Sequence, residues 1–343
     1  MNELTLRRPD DFHLHLRDGA ALARTVADAS RQCGRALVMP NLVPPVDTLE
    51  ALRAYRERIE AAIPAGRCFT PLMSLYLSAH LTPAIIRAAP AAGVLAVKWY
   101  PKGATTNSAA GVGQYEALRP LLAEMERQGL LLLIHGEVTD DDVDIFSRES
   151  TFIERTLTQL RREFPGLKVV LEHITTAFAV DYLRAADANL AATITAQHLL
   201  ANRNDLLVGG LKPHFYCLPI LKTEADRRAL LGAATSGDRR FFLGSDSAPH
   251  GRRAKENACG CAGCYTGATL LELYATAFDS VGALDKLEDF ASSFGADYYG
   301  LPRSTERVRL ERREQTIPAT LPFGDDELIP FWAGRRLAWT LTP

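Results

Sequence analysis

Asp11-Phe12-His13-Leu14-His15-Leu16-Arg17-Asp18-Gly19 is the stretch on which the reading of this chain turns. It predicts a short strand running out into a loop. Side chains at i and i+2 of a strand share a face. His13 and His15 are therefore expected on one side, with Phe12, Leu14 and Leu16 on the other. Two imidazoles on one face at a strand end suit a divalent metal. An isolated H-x-H is a weak signal, and its weight comes from what recurs downstream.

Seven further short apolar runs follow: Ala36–Met39, Thr70–Leu77, Val94–Tyr100, Leu130–His135, Val169–His173, Ala191–Ala196 and Phe241–Gly244. The stretches between them carry a helical period. Leu49–Ile63 reads as a helix with Thr48 as N-cap and Pro64 as its stop. Gln114–Gln128 reads as another, ended by Gly129, and Phe152–Phe164 as a third, closed by Pro165-Gly166. Strands alternating with helices imply parallel pairing with crossovers, and eight such units predict a (β/α)8 TIM barrel. No Gly-x-Gly-x-x-Gly follows the first strand, so a dinucleotide fold has no support. Past Gly244 the pattern changes. Gly251–Gly267 reads as a long polar loop, and Leu270–Phe278 and Leu287–Phe294 as further helices. The last segment reads as a small β-rich appendage. The expectation is a single domain over 1–343, with the barrel at about 7–300 and the appendage at about 301–343.

Composition narrows the class. The 343 residues are 47% hydrophobic and 23% charged, with a formal net charge of −2. That is ordinary for a globular enzyme and leaves no basic footprint for nucleic acid. The apolar runs are too short to span a bilayer, and the N-terminus shows no secretory pattern. Six cysteines without such a pattern imply free thiols in a reducing compartment, so the expected location is cytoplasmic.

The reactive residues sit at strand ends. His13 and His15 end the first strand, Lys98 falls near the end of the fourth, His135 ends the fifth, His173 the sixth, and Asp246 follows the eighth. In a barrel these ends meet at the C-terminal face, where such enzymes do their chemistry. A protonated lysine would repel a metal. A neutral one, favoured by burial beside cations, can add carbon dioxide to form an anionic carbamate with two oxygens. His13, His15 and Asp246 would then hold one metal, His135 and His173 a second, and Lys98 would bridge them. Such pairs lie roughly 3.5–4 Å apart.

These residues resemble the amidohydrolase superfamily, and within it the dihydroorotases of the bacterial homodimeric type. The matching segments include RRPDDFHLHLRDG, RALVMPNLVPPV, LLIHGEVT, LEHITT, PHFYCLPILK, FLGSDSAPH and CGCAGC, and they cover nearly the whole chain. The resemblance implies two zinc ions per subunit bridged by carboxylated Lys98. It implies reversible cyclisation of N-carbamoyl-L-aspartate to (S)-dihydroorotate and water in pyrimidine biosynthesis, with Asp246 as the catalytic acid–base. It places Arg17, Asn41 and His250 on the substrate α-carboxylate, and His250 can add a charged donor there when protonated. Leu218 and Ala262 would contact substrate through their backbones, His15 and His135 would border it, and Thr105 and Thr106 would lie on a mobile loop. Lys102-Gly103 departs from the small or amide residues expected there. A homodimer with a small-molecule substrate follows from the same likeness.

Two other functions compete. One is a cyclic amidase for hydantoins, dihydropyrimidines or allantoin; Arg17, Asn41 and His250 argue against it, since those substrates mostly lack the carboxylate. The other is an inactive scaffold, which should have lost ligands. Cys259, Cys261 and Cys264 are spaced irregularly for a zinc site, and a Gly-rich loop presenting backbone groups is the preferred reading. His80 is expected at the surface, and His198 and His214 in structural roles.

Overall fold

The computed structural model describes residues 2–112 and 115–342. Eight parallel strands form one sheet: β1 (Asp10–Leu14), β2 (Arg35–Val38), β3 (Thr70–Tyr76), β4 (Val94–Trp99), β5 (Leu131–Ile134), β6 (Val169–Leu171), β7 (Leu190–Ile194) and β8 (Phe241–Leu243). They pair in strict chain order. The ring closes where Asp246 N–H donates to His13 O at 2.8 Å and Leu14 bridges Ser247 in parallel register. This is the expected (β/α)8 barrel, with every anticipated strand present.

Alternation sorts the side chains into two layers. Val38, Leu75, Val97, Leu132, Ile134, Ile194 and Leu243 pack outward among the helices. Leu37, Ala96, Leu133, Val170, Ala191 and Phe242 fill the barrel interior, leaving the strand ends above them free for polar groups. One expectation fails here. Phe12 belongs to the interior layer and not with Leu14 and Leu16, which pack outside. The β1–β2 register shifts between Asp11 and Leu14, which breaks the simple alternation.

The helix Leu49–Ala61 starts at Thr48, whose side chain accepts from Ala51 N–H at 3.1 Å. Tyr115–Gln128 stops at Gly129, which takes φ 68°; its expected first residue, Gln114, lies outside the described residues. The helix expected to begin at Phe152 begins earlier, at Arg148, and carries a π turn over Ile153–Leu157. Its first turn buries Glu149, which accepts from Thr175 N–H and from the Thr175 and Thr176 hydroxyls. A polar residue on the buried face hid that turn from the apolar pattern. The loop expected at 251–267 contains a short helical turn, Arg252–Lys255.

The stretch expected as one helix over 287–294 is instead a π turn, Asp289–Ser293, leading into Phe294–Tyr299. That short helix closes the lower end of the barrel, with Tyr299 stacked on Phe12 at 4.5 Å between ring centroids. Gly295 makes the approach possible, because a Cβ there would lie 2.3 Å from Phe12 Cε2. Gly295→Ala is therefore expected to cost about 1–3 kcal/mol of stability by overpacking. A denaturant midpoint unchanged at constant slope would refute this floor contact.

The appendage is β-rich, as expected, but it recruits the start of the chain. Glu3–Arg7 pairs antiparallel with Arg307–Glu311, which pairs in turn with Thr340–Thr342. Two small ladders, Gln315–Thr316 with Arg336–Leu337 and Leu321–Phe323 with Asp326–Leu328, complete it. Among the described residues no helix is long and apolar enough to cross a membrane.

Candidate active site

The strand ends bring the six anticipated groups together. His15 Nε2 lies 3.0 Å and His13 Nε2 3.5 Å from Asp246 Oδ1, and ligand atoms of these three residues fall within 4.8 Å of one another. The His173 ring sits 4.9 Å from that of His13 and 4.8 Å from that of His135. Lys98 is fully buried, its Nζ 5.0 Å from the centre of the Tyr100 ring. Neither Lys98 Nζ nor His173 Nδ1 has a hydrogen-bond partner among the described residues. Buried polar atoms are rarely left so, and a converging set of imidazoles and carboxylate is the donor chemistry of a divalent metal such as zinc.

Backbone strain marks the same positions. Arg17, His173 and Asp246 adopt φ of 59°, 42° and 43°. Left-handed conformations in such residues persist where surrounding contacts over-determine them, at a cost on the order of 1–3 kcal/mol each.

The electrostatics follow from burial. Desolvation brings Lys98 down to about 8, against the opposing pull of Glu172 and Asp246, so a neutral amine is accessible near neutral pH. Burial, helped by the Lys98 charge, pushes His13 and His173 well below the ordinary imidazole value, which leaves their lone pairs free for a metal. Burial raises Asp246, but the hydrogen bond from His15 and the charges of His13, His15 and Lys98 outweigh it and bring the carboxyl down to about 2.

Hydrogen-bond partners on the far nitrogens orient two of the rings. His15 Nδ1 meets Asn41 Oδ1 at 2.8 Å and His135 Nε2 meets Glu137 Oε2 at 2.9 Å; Glu172 Oε2 lies 2.9 Å from His13 Nδ1 as a close charge contact without hydrogen-bond alignment. Such hydrogen bonds set which nitrogen is left to coordinate. Asp11 ties the ends of β1 and β8, accepting from His13 N–H at 3.1 Å and from Ser245 N–H and hydroxyl at 2.9 and 2.5 Å. The sequence reading missed Tyr100, Glu137 and Glu172. Their nearness in the chain to Lys98, His135 and His173 was the available signal.

Above the histidines lies a small cavity of about 20 Å³. Arg17, Asn41, Thr105, Thr106, Leu218 and Ala262 all line it, with Tyr100, Ala248 and Gly263 in addition. Arg17 is held by Nε–H to Pro249 O at 3.1 Å and by Nη2 to His250 Nε2 at 3.0 Å, while its Nη1 has no partner among the described residues. His250, expected to add a charged donor when protonated, accepts from Arg17 in this structure. Burial and the adjacent Arg17 charge hold it down to about 2, so it stays neutral and accepts from Arg17. The loop over 103–112, which carries Thr105 and Thr106, folds down onto the cavity. Thr106 Oγ1 donates to Ala262 O at 3.3 Å, Asn41 Nδ2 to Thr106 O at 3.2 Å, and Asn107 Nδ2 to Asn41 O at 3.1 Å.

The remaining candidates lie elsewhere. His80 is exposed and pairs with Asp47. His198 is buried between Thr195 Oγ1 and Pro219 O, and His214 meets Glu256. Cys259 is exposed, Cys261 partly buried, and Cys264 buried with its thiol toward His214 O.

Fold and cluster together are those of the TIM-barrel amidohydrolases. No family model matches the chain, but it is 58% identical over 338 residues to the dihydroorotase of Teredinibacter turnerae, spanning 98% of each. The chain belongs to the dihydroorotase family, hydrolases acting on a cyclic amide. It superposes on the Saccharomyces cerevisiae dihydroorotase solved with 5-fluoroorotic acid at a TM-score of 0.92 and 36% identity, covering 100% of this chain and 99% of that one. The L-hydantoinase of Arthrobacter aurescens shares the fold alone, at a TM-score of 0.82 and 16% identity over 98% of this chain and 82% of that one.

Proposed function

We propose that this chain interconverts N-carbamoyl-L-aspartate and (S)-dihydroorotate with two zinc ions at the barrel mouth. His13, His15 and Asp246 would hold one ion and His135 and His173 the other, with carboxylated Lys98 between them. When bound, the pair supplies Lewis acidity at the amide carbonyl and makes water nucleophilic at neutral pH. The protein does the rest. Asp246 Oδ1 takes the proton of the attacking water and returns it to the departing ring nitrogen. Arg17 offers a planar guanidinium to the α-carboxylate, with Asn41 beside it and neutral His250 fixing its orientation. Backbone groups of Leu218 and Ala262 border the ring.

The observation that carries this reading is the unpartnered Arg17 Nη1 in a residue that lines the histidine cavity. A hydantoin offers it neutral ring carbonyls only; dihydroorotate offers a carboxylate, the stronger, charge-assisted partner. Assaying both substrates with zinc-loaded protein tests the assignment. Turnover of dihydroorotate with about two zinc ions per chain is expected, and preferred turnover of hydantoin would overturn it.

The loop over 103–112 acts as a lid in this reading. Replacing Thr105 and Thr106 together by glycine is expected to lower kcat about 10²-fold, the scale of a misplaced substrate, with zinc content intact. An unchanged kcat would remove the lid role. One domain over 1–343, a homodimeric assembly and a cytoplasmic location belong to the same reading, and sedimentation equilibrium checks the dimer.

A further inference from the structure

β7 contributes none of the proposed zinc ligands, yet its Thr193 is fully buried among the strands that do. Its hydroxyl makes two short contacts. It accepts from the backbone N–H of His173 at 2.6 Å and donates to Glu172 Oε2 at 2.5 Å. The same carboxylate oxygen lies 2.9 Å from His13 Nδ1. His13 and His173 belong to opposite halves of the proposed ligand set. One hydroxyl and one carboxylate oxygen therefore tie them together.

Three features show that this arrangement is built. His173 holds its left-handed φ of 42° with its N–H on the Thr193 side chain and the next N–H, of Ile174, on Thr193 O at 3.1 Å. Strain of that kind needs such fixing. Glu172 flanks His13 on its Nδ1 side at 2.9 Å, and Asp246 lies on its Nε2 side at 3.5 Å, so the ring is held between two carboxylates. Space for Thr193 exists because residue 244 is glycine. A Cβ there would lie 2.5 Å from Thr193 Cγ2 and 3.0 Å from His13 Cβ.

The geometry points to Thr193 and Glu172 as positioning residues, a clip that sets His13 against His173 and so couples the two halves of the metal centre. The inference rests on the two-zinc reading above. Neither residue is among those lining the substrate cavity, so the clip governs metal retention and kcat and leaves KM unchanged. An ordinary buried threonine would affect folding stability alone.

The test compares wild type, Thr193→Val, Thr193→Ser and Glu172→Gln. Zinc affinity is measured by chelator competition, the cobalt-substituted forms are examined by visible absorption, and kcat and KM are measured for dihydroorotate. Thr193→Val is expected to bind zinc 10–100-fold more weakly, with an altered cobalt spectrum and an unchanged KM, while Thr193→Ser restores wild-type affinity. Glu172→Gln is expected to weaken zinc binding likewise. Wild-type zinc affinity and cobalt spectrum in Thr193→Val would overturn the clip, even if that variant melts earlier. Should Thr193→Val fail to fold, Glu172→Gln with unchanged affinity does the same. A wild-type protein that does not hold two zinc ions would instead remove the reading beneath the clip.

Discussion

Lys98→Ala is expected to lower kcat for dihydroorotate by about 10³-fold or more, a loss of roughly 4 kcal/mol of barrier lowering. The substitution deletes the only lysine buried at the strand ends of the histidine cluster among the described residues. It leaves the imidazoles of His13, His15, His135 and His173 without the anion proposed to lie between them. The defect should appear in zinc content as well as in turnover, because two cations in close proximity repel unless a bridging charge offsets them. Short carboxylic acids supply an equivalent anion in the space vacated by the side chain and are expected to restore part of the activity in a concentration-dependent way. A Lys98→Ala protein that keeps two zinc ions and wild-type turnover would end the carbamate assignment. Full zinc with no turnover would assign Lys98 a different role.

Asp246→Asn is expected to lower kcat by about 10²–10⁴-fold, the range for loss of a positioned acid–base group. Asparagine preserves the shape of the side chain that sits 3.0 Å from His15 Nε2, so the barrel closure through Asp246 N–H and His13 O should survive. The amide can neither accept the proton of the attacking water nor hand it to the ring nitrogen. It also weakens the ligand set of His13 and His15, and zinc should be lost from that half first. Measuring metal content beside kcat separates the two effects. A variant holding full zinc yet failing in turnover isolates the proton transfer. A variant with near-normal turnover removes Asp246 from the chemistry.

The sequence alone supports both predictions. Asp246 stands directly after a clear strand, in Gly244-Ser245-Asp246, so its place at the barrel mouth was legible once eight strands were counted. Lys98 was legible for the same reason. Glu172 was not. It stands between the end of a three-residue strand and a histidine, and nothing in its neighbourhood distinguishes a carboxylate turned toward His13 from one turned to solvent. Phe12 misled because the alternation rule assumes regular pairing, and the shift beside Leu14 is set by the partner strand. The charge of His250 was not legible, because it depends on Arg17, more than two hundred residues away in sequence and 3.0 Å away in space.

Apolar periodicity and strand-end position, both local properties of the chain, determined the barrel, the order of its strands and the roster of histidines, lysine and aspartate at its mouth. Tertiary structure decided which nitrogens of His15 and His135 meet a partner, that Lys98 is desolvated, that His250 accepts from Arg17, and that Thr193 and Glu172 lie between His13 and His173. It also decided that Glu3–Arg7 belongs to the appendage. The division has one cause. Periodicity is written between neighbours, whereas protonation, tautomer and strain are set by whatever atoms folding brings within a few ångströms, and those come from every strand of the ring.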